Sequence, residues 1–528
     1  MGMIFALAIP AVFGSLLILG SRRIRTGIAG WTALAAALAT LAATVTTLGA
    51  SSRGVLLTHR RMDEWAVGAR FATDKISSPL ALLTAGITLL VVVHGIRHRP
   101  RGGSAGLFFG LLLLVEFGAL ATFWTRDVIG FFIAFEIVLI PMWVLIHRFG
   151  DDHDRAARRA AALRFVLYTA FGSSVMLVGI LALVAHTGTS DMRLILGAGV
   201  PRDVQLWIAG LLVLGLAVKV PLVPFHSWLP PAHTIAPTAG SVLLAAVLLK
   251  MGTYGLIRLP LALTPNGFAR LGPVLAILGV IGILWGGLIC LVERDLKRLI
   301  AYSSVAHMGF VALALGTGSA LGLQAALIAN VAHGVISALL FFVVGGLKER
   351  WGSVDLSVVR PAVRESWPGL GVALMVGLAG SLGLPGLAGF WGEFLAIMAA
   401  WKPTSGGAAA PLVWLQGSEQ IGWFAYTPLD AQYQIDGVQI SLAGAPPDPV
   451  LMRGLAMAAA LGAVLAAAYS LRVAKLIWMG EEAPRDRSGD LSPVEAIVTG
   501  VLVIAIIVIG LAPYLVFSGA SLVGGMIP

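Results

Sequence analysis

Apolar runs of about 20 residues recur along the whole chain, separated by short polar, glycine- or arginine-bearing connections. A run of roughly that length can cross the hydrocarbon of a bilayer as a helix. The pattern predicts fourteen such spans, at 3–20, 28–49, 79–96, 105–124, 128–147, 163–186, 205–230, 237–258, 273–292, 297–316, 321–345, 369–400, 450–478 and 493–516. Two runs are interrupted. The seventh carries Lys219 and then Pro221 and Pro224. A proline inside a helix lacks an N–H and clashes with the carbonyl four residues back, so the carbonyls of Ala217 and Val220 are expected to be free beside a lysine. The twelfth breaks at SLGLPGLAGF, where Pro385, Gly383, Gly386 and Gly389 interrupt the run. The breaks lie five spans apart, and a repeat of odd length must reappear upside down. The predicted fold is therefore an all-α polytopic membrane protein with two inverted five-helix repeats. Spans 4–8 (105–258) and spans 9–13 (273–478) form the pair, after three N-terminal spans (1–104) and before a last one (493–528). In that architecture the discontinuous helices carry a site near the midplane.

Composition agrees with this reading. The 528 residues are 58% hydrophobic and 12% charged, with a mean hydropathy of +0.91. A net charge of +10 invites a nucleic-acid partner, but the basic residues sit at the ends of apolar runs and read as topology signal. Alternate connections, starting after the first span, hold 22 of them, including Arg22, Arg97, Arg148, Arg155, Lys297, Lys348 and Arg472. The other faces hold 12, and Lys219 and Lys250 lie within spans. The bias puts both termini outside and predicts a multi-pass protein of a bacterial plasma membrane. The first span has no basic region before it and reads as retained rather than cleaved. Arginine outnumbers lysine 29 to 7, which fits a GC-rich genome. The lone Cys290 excludes an intrachain disulfide and reads as a small packing residue. The loop 401–449 falls outside, where it can meet a partner. The Asp151–Asp154 run and the pair His94 and His98 read as solvated or interfacial groups rather than metal ligands.

Few titratable side chains remain inside spans. They are Glu116, Glu136, Lys219, Lys250, His307, His333 and Glu393. A lone buried histidine is more often a hydrogen-bonded packing residue. A charge at the bilayer centre costs about 2.5–3.5 kcal/mol on insertion scales, which makes Glu136, Lys219, Lys250 and Glu393 expensive to keep without a use. Carboxylate, amine and imidazole can each hold a proton, so the expected chemistry is proton relay rather than bond-making. A Glu136–Lys219 attraction at about 4 Å and an effective dielectric near 20 is on the order of 4 kcal/mol. Separating the pair would send the proton to Lys250, then through His307 and His333 toward Glu393. No nucleotide loop, CxxC, HExxH or haem-ligand pattern is present, so no cofactor or metal is expected in this chain.

The segments PFHSWLPPAHTIAPTAGSVLLAAVLLK, ERDLKRLIAYSSVAHMGF and RDVIGFFIAFEIVLIPMW resemble the antiporter-like membrane subunits of respiratory complex I and their relatives, the multisubunit sodium/proton antiporters. The resemblance covers roughly 105–480. Glu393, and the Glu116 position in LLLLVEFGAL, are similar to the M type of NADH–quinone oxidoreductase; the L and N types usually carry lysine at the former. The resemblance implies that Glu136 and Lys219 form a gating ion pair, that Lys250 is the central relay, that His307 and His333 shuttle protons with water, and that Glu393 stands at the outward exit. It implies partners of L and N type in the lipid bilayer. NADH, FMN, iron–sulfur clusters and a quinone (ubiquinone or menaquinone) would belong to partner subunits. The alternatives are a subunit of a multisubunit Na+/H+ antiporter, a stand-alone transporter for an organic solute, and an inert spacer.

Overall fold

In a computed structural model, the described residues are 2–48, 70–151, 154–358, 362–402, 433–435, 438–440, 447–480 and 489–517. Among them, twelve helices are long and apolar enough to cross a membrane, from Gly2–Leu19 to Pro493–Leu511. Two predicted spans fall on pairs of shorter helices. The seventh is Arg202–Lys219 followed by Leu229–Ile235, and the twelfth is Pro368–Ser381 followed by Ala388–Trp401. Most of loop 401–449 lies outside the described residues; within it Tyr433–Ile435 pairs antiparallel with Val438–Ile440.

Helix starts are set by short polar side chains. Asp127, Asp154, Asp191, Asp295, Ser319 and Ser492 each accept a backbone N–H of the turn that follows, satisfying donors the helix itself leaves open. The fifth span, expected as one helix, is interrupted at Val138 between Val128–Ile137 and Leu139–Phe149. Pro141 accounts for this, since its ring meets the carbonyl of Ile137.

Burial runs from lipid-facing rim to polar centre. The Thr238–Leu261 segment is buried from Ala239 onward, and the Ala320–Trp351 helix nearly so. Rim helices expose Leu19, Trp31, Leu288, Val464 and Leu511, as a hydrocarbon solvent permits. The Ala320–Trp351 helix has 32 residues and is about 48 Å long at 1.5 Å per residue. It therefore outruns the hydrocarbon and carries Lys348 and Arg350 beyond it.

Small residues bring the helices into contact. A Cβ on Gly309 would lie 2.4 Å from the carbonyl oxygen of Gly279, and one on Gly316 would lie 2.5 Å from that of Gly272. The Pro265–Val292 and Leu296–Gly316 helices thus touch backbone to backbone. Gly172 and Gly215 join Arg155–Thr187 to Arg202–Lys219 in the same way. Without a hydrophobic drive between helices in lipid, such close approach is what gains packing energy.

Candidate functional site

The two interrupted spans and the buried Thr238–Leu261 segment supply the site. Lys219 is the last residue of its helix and is 3% exposed. The break beyond it is better satisfied than the proline rule suggests. The carbonyl of Ala217, expected to be free, accepts the N–H of Leu222 at 3.0 Å, and that of Val218 accepts the indole N–H of Trp228 at 2.9 Å. The chain folds back fast enough after Pro221 for later donors to reach these acceptors.

Glu136 and Lys219 share no hydrogen bond or ion pair among the described residues. Glu136 is within electrostatic reach, while the Lys219 ammonium lies 4.9 Å from the ring centre of Phe135 and 5.9 Å from that of Phe165. Both aromatic faces are within cation–π range of it.

Lys219 also touches the next element. A Cβ on Gly252 would lie 3.1 Å from the Lys219 Cβ, so the glycine lets the backbone of the Thr238–Leu261 segment pass close beside Lys219. Two residues earlier stands Lys250, 1% exposed. A π-turn over Leu244–Leu248 precedes it, a widening often found where a helix does chemistry. The Lys250 Nζ donates to the carbonyl of Ala245 in that turn at 2.7 Å, and it lies 2.5 Å from Nδ1 of His333.

From His333 the line continues. Its ring centre is 5.5 Å from that of His307, and its Nε2 has no hydrogen-bond partner among the described residues. His307 Nε2 meets the Ser381 hydroxyl at 3.0 Å, and His307 Nδ1 stands 3.1 Å from Oε1 of Glu393. That last contact is close but off-line for a hydrogen bond, since Glu393 Oε1 counts as unpartnered. His307, His333, Glu393, Gly389 and Gly392 line a cavity of about 20 Å³, room for a water. The second break holds the carboxylate here. Gly383 has φ +74, and a Cβ on it would meet Glu393 Oε2 at 2.8 Å. Gly383 therefore needs to be glycine for both its backbone and its neighbour.

Five of the seven candidates gather in this region: Lys219 and Lys250 through Gly252, then His333, His307 and Glu393. Glu136 lies beside it. Glu116 stands apart, fully buried in the Ala105–Trp124 helix with neither oxygen partnered among the described residues. Of the groups set aside as metal ligands, Asp151 pairs with Lys348 and Asp154 caps a helix; Asp152 and His153 lie outside the described residues. His98 pairs with Glu349 at 2.8 Å.

His233 was missed. It is fully buried in Leu229–Ile235, neither ring nitrogen is partnered among the described residues, and it stacks on Phe341 at 4.5 Å. It sits within electrostatic range of Lys250, Lys297 and His333. A histidine between prolines in a broken span was the available signal. Lys297, counted above as a topology charge, is 3% exposed and donates to the carbonyl of Ala236 at 3.0 Å, closing the C-terminal end of the same short helix.

Residues 125–410 match the family model described as NADH:quinone oxidoreductase/Mrp antiporter, TM. NAD(P)H-quinone oxidoreductase chain 4 1 of Synechococcus sp. (strain JA-3-3Ab) is 35% identical over 452 residues, 84% of this chain and 76% of its own length. NADH-quinone oxidoreductase subunit M of Rickettsia conorii is 35% identical over 345 residues, 65% of this chain and 68% of its own length. A chain of respiratory complex I from Thermus thermophilus with bound NADH superposes with a TM-score of 0.80 at 26% identity, covering 98% of this chain and 97% of that one. With a family model spanning more than half of the sequence and a relative of this similarity over most of its length, this chain belongs to the NADH:quinone oxidoreductase/Mrp antiporter transmembrane family.

Proposed function

We propose that this chain is the M-type proton-translocating membrane subunit of an NADH–quinone oxidoreductase, and that it moves protons by a Glu/Lys/His relay. The observation that carries the reading is the close approach, in sequence, of Lys250, His333, His307 and Glu393. A proton crosses from Lys250 to His333 along a 2.5 Å contact. It crosses the histidine pair by way of a water in the cavity they line. It then reaches Glu393 from His307 when the 3.1 Å contact between them swings into line.

Glu136 acts as the gate in this reading. When its carboxylate approaches Lys219 the ammonium is stabilised, and when it withdraws the proton moves on past Gly252 to Lys250. His233, between prolines and within range of Lys250, is a further relay group, and Glu116 is an additional proton-holding site on the flank. Residues 105–258 and 273–478 form the two inverted halves, each contributing one discontinuous helix, with 1–104 and 493–528 flanking them.

NADH oxidation and quinone reduction take place in partner subunits, which hold FMN, iron–sulfur clusters and the quinone; this chain contributes one proton path. Its neighbours are antiporter-like subunits of L and N type. The bacterial relatives support a plasma-membrane location, and the basic bias supports both termini on the extracytoplasmic side.

The test is Lys219→Met in the assembled enzyme, reconstituted in liposomes, with protons counted per NADH oxidised. A fall in that ratio supports the relay, and full pumping overturns it. The family description also covers Mrp antiporters, where the same relay would serve. Copurification with redox subunits from mild detergent favours the oxidoreductase, and sodium-dependent transport favours the antiporter.

A further inference from the structure

Lys250 stands on a short stretch of α-helix, Leu249–Leu256, with a π-turn on either side, at Leu244–Leu248 and Ile257–Leu261. A π-turn closes its hydrogen bond one residue further along than the α-helix around it. One residue is worth about 100° of rotation. The rotation of whatever lies between two such turns is therefore not dictated by the helix on either side. Lys250 reaches His333 only when this stretch is turned the right way, so a contact within it has to set the angle.

Thr253 supplies that contact. It lies three residues after Lys250, and on the Ala320–Trp351 helix Asn330 lies three before His333. The Thr253 hydroxyl donates to Asn330 Oδ1 at 2.8 Å. This bond sits about 4.5 Å along the axis from the Lys250–His333 contact. Equal steps forward on one element and back on the other make the two contacts rungs of one antiparallel register. The register continues across the first π-turn. Thr238 lies as many residues before Lys250 as Gly345 lies after His333, and a Cβ on Gly345 would meet Thr238 Oγ1 at 2.5 Å. Because the π-turn intervenes, that approach cannot orient Lys250. Tyr254 donates to the carbonyl of Phe123 at 2.5 Å, which ties the stretch to the Ala105–Trp124 helix and not to the one that carries His333.

The polarity of the rung is settled by its surroundings. Asn330 Nδ2 donates to the carbonyl of Ala326, one turn back, at 2.8 Å. A carbonyl only accepts, so the amide must turn Oδ1 toward Thr253, and the threonine must donate. The same hydroxyl lies 3.1 Å from the carbonyl of Lys250, which ties the rung to the backbone of the lysine. Thr253 and Asn330 are both 0% exposed. Stability alone gives little reason to bury them, since two apolar groups of the same shape can replace such a pair at almost no loss. A hydroxyl and a carboxamide do not hold an extra proton at neutral pH, so neither belongs to the relay itself. Their contribution is geometric.

We propose that Thr253 and Asn330 are positioning residues, whose hydrogen bond pins the stretch between the two π-turns so that Lys250 faces His333. The inference rests on the relay proposed above. Without the pin, the stretch is free to swivel and the lysine spends less time in contact with the histidine.

The experiment uses the assembled enzyme in proteoliposomes, with protons counted per NADH oxidised over a range of pH. Thr253→Val keeps the shape and removes the donor. It is expected to lower the count about threefold, against about tenfold for Lys250→Met, and to displace the pH of half-maximal pumping while NADH oxidation persists. Thr253→Ser keeps the donor and is expected to pump as the parent does. Thr253→Val combined with Asn330→Leu leaves neither polar group orphaned, so it separates positioning from stability. The double variant is expected to assemble at the parent level and still to show the lowered count and the displaced pH profile. Parent-level pumping with the parent pH profile in the double variant overturns the pin. So does failure of the double variant to assemble, which would make the pair part of what holds the fold. A loss in Thr253→Ser as large as in Thr253→Val overturns it as well. Failure of the relay itself reads out separately, as full NADH-driven pumping by Lys250→Met alone.

Discussion

The Lys250 ammonium lies 2.5 Å from Nδ1 of His333, two buried groups 83 residues apart in sequence. With lysine donating, Nδ1 accepts, and the imidazole proton of a neutral His333 sits on Nε2, on the far side of the ring. In that arrangement the lysine sets which tautomer faces the rest of the line.

The first prediction concerns that contact. Lys250→Met removes the donor and leaves His333 without an acceptor role, so the tautomer is no longer set. NADH-driven proton uptake is expected to fall about tenfold, the factor carried by ~1.4 kcal/mol of added barrier. The measurement is dye-reported pumping in proteoliposomes, normalised to NADH oxidation.

The exit pair gives the second. Glu393→Gln and His307→Gln each break the 3.1 Å contact, and removing both adds little to either alone. The expected coupling in a double-mutant cycle of pumping rates is about 1–2 kcal/mol, as for residues acting as a unit. Additive losses would show that His307 and Glu393 act on separate paths.

At the second break, Gly383→Ala should impair pumping more than it impairs assembly. The residue sits at φ +74 with Glu393 Oε2 at 2.8 Å from the new methyl. The left-handed conformation costs a non-glycine residue about 1–2 kcal/mol, and the methyl displaces the carboxylate from His307. Thermal unfolding of the purified enzyme and pumping, measured on the same preparation, separate the two effects.

Helix packing supplies a fourth. Gly309→Leu puts a side chain where even a Cβ would lie 2.4 Å from the Gly279 carbonyl. Overpacking of this kind costs about 1–3 kcal/mol, and here the contact is backbone, which cannot rotate away. Loss of the chain from the membrane fraction, with Gly309→Ala intermediate, is the expected result.

The last concerns pH at the charged edge. The hydrogen bond that His98 donates to the Glu349 carboxylate raises His98 above its ordinary value, against partial desolvation and repulsion from Arg97, with Glu495 adding to the raise; His94 stacks on it at 4.6 Å. A raised value means the stabilisation is fully present below the ordinary imidazole value, near 6.5, and is lost as pH climbs through the raised one. Glu349 is half exposed, so solvent screening limits the pair to about 0.5 kcal/mol. Hydrogen exchange at the end of the Ser77–Arg97 helix should quicken from mildly acidic to mildly basic buffer, beyond the intrinsic change. His98→Gln should abolish the excess.

Much of this site was legible because a membrane makes buried charge conspicuous. Lys219, Lys250 and Glu393 stand out in apolar runs, and the prolines and glycines beside them announce the breaks. His233 did not stand out, because it lies in a connection rich in polar and proline residues where a histidine is unremarkable. Arg126 and Arg258 counted only as two of the 12 basic residues on the other faces, and nothing local to Asp74 says that a helix and another connection converge on it. Glu136 read as an ion-pair partner of Lys219, and the structure keeps it within electrostatic reach while two aromatic rings lie beside the lysine.

Sequence alone determined the apolar periodicity, the two interruptions and the identity of the groups able to hold a proton, because each depends on residues within a single helix length. Only the tertiary structure decided which of those groups touch: His333 on Lys250, Glu393 on His307, Asp74 between two arginines. Those meetings depend on helices far apart in the chain, brought together by glycines whose missing side chains let backbones meet, and no local pattern of polarity encodes where such contacts will fall.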